Sequence, residues 1–158
     1  MKIRNLFTRQ LLAITALLLC TFLSSFAQET VVITLNVNTG QIDNKNLAST
    51  CNFGQDDGIS NEDYTVVVNV GDNIVWEGVS TSSEDDIVNI TMIKYVGGKN
   101  IFGKDLGPDG NDPKQKVRGK VQAGTDGNAY KYDISFTVIN NGVKRNGTFH
   151  IDPKIQTH

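Results

Sequence analysis

The chain has 158 residues, of which 15 are basic, 17 acidic and 39% hydrophobic. No basic block offsets the acids, which argues against nucleic-acid binding through a general electrostatic footprint and disfavours anionic membrane surfaces. The only cysteines are Cys20 and Cys51.

Residues 1–27 have the layout of an export signal. Lys2, Arg4 and Arg9 give a basic start, residues 11–19 an apolar run broken only by Thr15, and Ser25-Phe26-Ala27 a small-x-small cleavage site before Gln28. The apolar run is too short for a membrane anchor, so no stable membrane insertion is expected after cleavage. Lipidation of Cys20 would need a small residue before it, where Leu19 stands. The ending Phe26-Ala27-Gln28 resembles bacterial export signals, and the expected address is periplasmic or secreted. Cleavage leaves 131 residues, enough for one domain, with 12 basic residues against 17 acidic ones and a formal charge of −5. It also removes Cys20, so no intrachain disulfide can form. Cys51 is expected as a small packed or shielded residue in a loop. Asp56 and Asp57, if close, would raise its pKa.

From Gln28 onward the chain reads as strands between polar loops. Residues 31–37 are β-branched and form the first strand. Residues 38–63 turn to Asn, Asp, Gly and Ser, a long polar insert with room for a short helical turn near 44–48. A strand over 64–70 breaks at Gly71-Asp72-Asn73 and resumes at Ile74-Val75-Trp76. A Ser/Thr/acid loop spans 79–86. Residues 87–96 form a strand with Val88, Ile90 and Met92 on one face and Asn89, Thr91 and Ile93 on the other. Residues 99–115 are a Gly/Pro/Asp loop, and 116–122 a short polar edge strand. Tyr130, Tyr132, Ile134, Phe136 and Val138 then alternate with polar residues, which marks a half-buried strand. Asn140-Asn141-Gly142 signals a hairpin. In the return strand Phe149 and Ile151 point inward and His150 and Asp152 outward, until Pro153 ends it and His158 frays. Seven to eight strands with no convincing helix and no repeat predict an all-β, antiparallel Greek-key sandwich over residues 28–158.

Two motifs carry a resemblance. Val70-Gly71-Asp72-Asn73-Ile74-Val75-Trp76 looks like the V-G-D-x-V-x-W strand of plastocyanin-type, cupredoxin-like domains, and Tyr130-Lys131-Tyr132 is similar to their Y-x-Y. The strand at 147–151 sits where that family's last strand sits, and a buried core Trp76 is implied. The resemblance also implies where copper ligands would lie: a His in the stretch 84–89, and Cys, His and Met between the last two strands. Here those stretches are Glu84-Asp85-Asp86-Ile87-Val88-Asn89 and Ile139-Asn140-Asn141-Gly142-Val143-Lys144-Arg145-Asn146, with no imidazole, thiol or thioether. A type 1 copper site needs those soft and imidazole ligands, so no metal or other cofactor is expected from the fold likeness.

Other chemistry is sparse. Asp105-Leu106-Gly107-Pro108-Asp109-Gly110-Asn111-Asp112 has the oxygens of a calcium loop. Aligned on Gly110, however, it puts Gly107 at a ligand position and Lys116 where a bidentate Glu belongs. Asp56, Asp57, Glu62 and Asp63 form a second acidic cluster without recognised spacing. His150 near Asp152 is a weak base candidate, since residues two apart on a strand are roughly 7 Å apart. No nucleophile elbow or Cys/His pair appears, and no catalytic, cofactor-binding or metal residue is assigned. The sequence leads to an exported, non-catalytic binding or structural module. Its partner would be an unidentified protein or envelope component, contacted through the 38–63 insert and the 79–86 or 99–115 loops. The alternatives are a metal-binding protein using loop carboxylates or a non-family copper site, and a carboxylate-based hydrolase.

Overall fold

The computed structural model describes residues 28–108, 110 and 114–158. The expected export signal with Cys20, and Asp109, Asn111 and Asp112 of the acidic loop, lie outside the described residues. The β-branched runs form ten strands: β1 (Thr30–Val37), β2 (Cys51–Asn52), β3 (Thr65–Val68), β4 (Asn73–Ser80), β5 (Ile87–Gly97), β6 (Val117–Lys120), β7 (Tyr130–Asn140), β8 (Val143–Lys144), β9 (Phe149–Ile151) and β10 (Lys154–Thr157). A single helical turn, α1 (Leu47–Thr50), stands inside the polar insert.

The strands form two mixed sheets, one of four strands in the order β2-β1-β4-β6 and one of six in the order β3-β10-β7-β5, with β8 and β9 also on β7. The all-antiparallel expectation is corrected at two places. β1 runs parallel to β4 over its whole length, from Thr30 beside Asn73 to Val37 beside Ser80. β3 runs parallel to β10. Parallel neighbours need a long crossover, and here the 38–63 insert with β3, and later most of the chain, supply it. Sequence periodicity carries no information about strand direction.

The β3–β4 turn shows what Val70-Gly71-Asp72 does locally. Gly71 takes φ +100°, open to glycine. The buried Asp72 carboxylate accepts the Glu29 N–H at 3.0 Å and the Asn69 N–H at 2.8 Å, which ties the start of β1 to the turn and holds the carboxyl below the usual carboxylate range. β5 corrects the simple alternation. Its register against β7 shifts between Ile90 and Met92, so Ile93 is fully buried and Met92 is 42% exposed. A bulge lets two residues oppose one and flips every face beyond it. The chain end is also corrected. Pro153 interrupts the ladder only by lacking an N–H, because Ile151 faces Ile134 before it and Ile155 faces Tyr130 after it in the same register. β10 is therefore a missed strand, and His158 donates its N–H to Val68 rather than fraying.

The core lies between the sheets. Ile33, Leu35, Ile74 and Trp76 from one meet Val88, Ile90, Ile93, Tyr130, Tyr132, Ile134 and Phe136 from the other. Trp76 is central, edge-on to Phe102 and Tyr132 at 5.5 and 5.8 Å, with its Nε1–H donated to Tyr132 Oη at 3.2 Å. The two halves of the sequence resemblance thus meet at one buried hydrogen bond. The Asn141-Gly142 hairpin turn forms as expected, with φ of +50° and +74° and Asn140 facing Val143.

Candidate functional site

Two of the regions expected to carry recognition, the insert and the 79–86 loop, meet at one end of the sheets around Asp86. The described part of the 99–115 loop packs along β5 at Leu106 and reaches this end only at residues 114–115. Asp86 sits between the 79–86 loop and β5 and is almost fully buried. Its Oδ2 accepts the Thr39 hydroxyl at 2.5 Å and the Asn140 amide at 2.7 Å, and its Oδ1 accepts the Asn141 N–H at 2.8 Å. These bonds to the charged form, led by Thr39 and aided by the nearby Arg145 guanidinium, hold the carboxyl below its usual range. Thr39 Oγ1 also lies 2.8 Å from Ser80 Oγ and 2.6 Å from Ser82 Oγ. Arg145 donates to the Thr39 and Gly40 carbonyls at 3.2 and 2.8 Å. The insert, the serine loop and the β7–β8 hairpin are therefore one network centred on a buried carboxylate.

Beside the network opens a cleft of about 490 Å³ lined by Glu77, Ser80, Ser83, Glu84, Asp86 and the 114–116 segment. Glu77 and Lys116 pair across it at 2.5 Å. The charged groups of the cleft are of both signs, beside an apolar wall of Val79 and Val88, which fits a segment of mixed character better than a purely apolar small molecule. Asp86, held below the usual carboxylate range, is set in the wrong direction for a general acid near neutral pH.

The stretches from which the cupredoxin-like resemblance would draw copper ligands do meet here, since Asp86 bonds Asn140 and Asn141. What they bring is a carboxylate, amides and a guanidinium. That donor set does not fit copper, and its lone pairs are already spent on protein donors. Nor are the calcium candidates gathered among the described residues. Asp105 accepts the Tyr95 N–H at 2.9 Å, Lys116 is on Glu77, and Asp63 is held by Lys154 at 3.0 Å. Among the described residues, no three His, Cys, Asp or Glu side chains form a metal-holding group.

His150 is corrected in its partner. Asp133, across the strand pair, takes its Nδ1 at 2.9 Å, not Asp152. Ser135, directly opposite His150, completes a Ser/Asp/His cluster. The geometry is not that of a nucleophile. Ser135 donates to Asp133 at 2.5 Å and its oxygen lies 3.3 Å from the same Nδ1 that Asp133 holds, so no base faces the hydroxyl from Nε2. Cys51 lies in β2 rather than in a loop. Burial, not the Asp56-Asp57 pair, pushes its thiol up to about 11. The sequence placed Asp86 only as one acid of a run. Its signal was an Asp just before an apolar strand, while Thr39 and Arg145 carried none.

No protein-family profile matches the chain, and no curated protein matches it. Among solved structures it is similar to the inclusion body protein PixA from Burkholderia cenocepacia J2315, with a TM-score of 0.62 and 13% identity over 85% of this chain and 99% of that one. At that identity the likeness is one of fold.

Proposed function

We propose that this chain is an exported, non-catalytic binding or structural module whose recognition surface is the Asp86 end of the sheets. The observation that carries it is a cleft between the 79–86 loop and the 114–116 segment whose Asp86 wall is tied to the 38–63 insert by a buried network. Rigidly held loops lose little entropy when they bind, which suits recognition. The carboxyl and histidine geometry favours no acid–base or nucleophilic step. A cupredoxin-like ancestry without copper is part of the proposal, supported by the Trp76–Tyr132 contact between the two motifs.

Two experiments test it. N-terminal sequencing of chain recovered from the cell envelope or medium should begin at Gln28; recovery only from cytoplasm with Met1 intact would sink export. Envelope proteins retained by the wild-type chain should be lost with Ser83→Tyr plus Glu84→Lys in the cleft, and kept with Lys94→Glu on the other sheet. Identical retention by all three would overturn the cleft as the binding surface.

A further inference from the structure

Sheet edges need cover, because their unpaired N–H and C=O groups recruit other strands. Most edges here are managed. β5 is capped by the segment after it: Ile93 exchanges both backbone bonds with Leu106, Ile90 donates to Gln115, and Tyr95 N–H goes to Asp105. β6 carries Arg118 and Lys120 and bridges Pro108 at Val117. β2 and β8 have two residues each and β9 three. β3 is the exception. It is Thr65-Val66-Val67-Val68, uncharged and β-branched, and ends its sheet.

The register shows which groups are left over. Lys154 donates to Tyr64 O and His158 to Val68 O, so the even-numbered residues face β10. The N–H and C=O of Thr65 and Val67 therefore point off the edge, and among the described residues they have no partner. Their side chains are exposed, Val67 at 48%. Asn69, the next odd residue, is closed because its N–H is held by Asp72.

We propose that β3 pairs with β3 of a second copy of this chain, antiparallel, about a two-fold axis at Val66. In that register Thr65 lies opposite Val67 of the other copy, and each open N–H meets an open C=O with none wasted. A two-fold one residue further on would set Thr65 against the closed Asn69 N–H. Charge selects the same direction. Glu62 and Asp63 precede β3, and antiparallel pairing puts them opposite uncharged Asn69 and Val70. Parallel pairing would oppose acid to acid. The result is one continuous sheet across two copies. The inference adds a partner to the structural-module reading but uses none of the cleft residues, so either can fail alone.

Sedimentation velocity over a wide concentration range, on protein purified from cells expressing the full chain, tests it. Wild type is expected to show a reversible dimer. Val67→Lys, which sets like charges near the axis while leaving the core untouched, should weaken it at least about tenfold. Thr65→Lys should do the same and guards against a folding failure of the first variant. Cleft substitutions at Ser83 and Glu84 should leave the dimer constant unchanged. A wild-type chain that stays monomeric throughout, or a dimer indifferent to both lysines, overturns the proposal.

Discussion

The two ends of this molecule are held by different physics. Around Trp76 an aromatic group (Phe102, Tyr130, Tyr132 and Tyr95) packs ring on ring with one internal hydrogen bond, Trp76 to Tyr132. Around Asp86 apolar contact gives way to a buried carboxylate ringed by donors. The first end depends on volume and is indifferent to acid, since its only titrating groups are tyrosines and burial pushes the Tyr130 and Tyr132 phenols up. The second depends on charge and on the donors that face the Asp86 carboxylate. An apolar core tolerates small geometric errors by repacking, whereas a buried ion with one partner missing does not. That makes the polar end the better place to fix loops in one geometry.

The largest effect should come from breaking the aromatic end. Trp76→Ala removes a fully buried ring and leaves a cavity between the sheets, at a cost of about 3–5 kcal/mol by urea denaturation from neutral pH into acid. Next comes Asp86→Ala, which leaves the Asn140 amide and the Asn141 N–H without their acceptor and the Thr39 hydroxyl with only Ser80 and Ser82. A fall in Tm of roughly 10 °C is expected near neutral pH. Here the two ends separate. Asp86 is depressed in the folded state, so its contribution is present above its ordinary value of 3.8 and is lost as pH falls through the folded value. The gap between wild type and Asp86→Ala should therefore close in strong acid, while the Trp76→Ala gap persists. A pH-independent Asp86 gap would mean the network is not charge-assisted.

Within the aromatic end, two tyrosines that look alike in the sequence should part company. Tyr132→Phe leaves the Trp76 Nε1–H without its acceptor and should cost about 1–2 kcal/mol. Tyr130 Oη is buried with no hydrogen-bond partner among the described residues, so Tyr130→Phe should be neutral or slightly stabilising. Equal losses at both would show that Tyr130 has a partner. Cys51 tests packing beside the network. With its thiol pushed up to about 11, it should resist a thiol reagent at pH 8 until the chain unfolds.

Much of the aromatic end was legible in the sequence, and little of the polar end. Alternation from Tyr130 to Val138 announced a face with period two, and every apolar member is fully buried. Asn141-Gly142 announced a turn because few other pairs take two positive φ angles. Three features were hidden for one reason each. Parallel pairing of β1 with β4 leaves no mark on side-chain order. The bulge after Ile90 keeps an apolar residue at the next plausible position, so Met92 and Ile93 look interchangeable. The Asp86 network joins residues 39, 80–86 and 140–145, each ordinary in its own stretch, and only the fold makes them neighbours. The same limit kept β10 from view, since Pro153 reads as a stop although the register continues past it.

A small effect at the hairpin sharpens the comparison most. Gly142 sits at φ +74° and an added Cβ meets nothing within 4 Å, so Gly142→Ala carries only the backbone cost of the left-handed region, about 1 kcal/mol. The neighbouring Asn141 N–H is one of the donors to Asp86, so a strained turn should move that donor. Gly142→Ala is then expected to cost less in an Asp86→Ala background, where the bond it disturbs is already gone. An equal cost in both backgrounds would mean that the hairpin and the carboxylate are independent. The three loops would then lack a common anchor, and the cleft would lose the rigidity that makes it a plausible recognition surface.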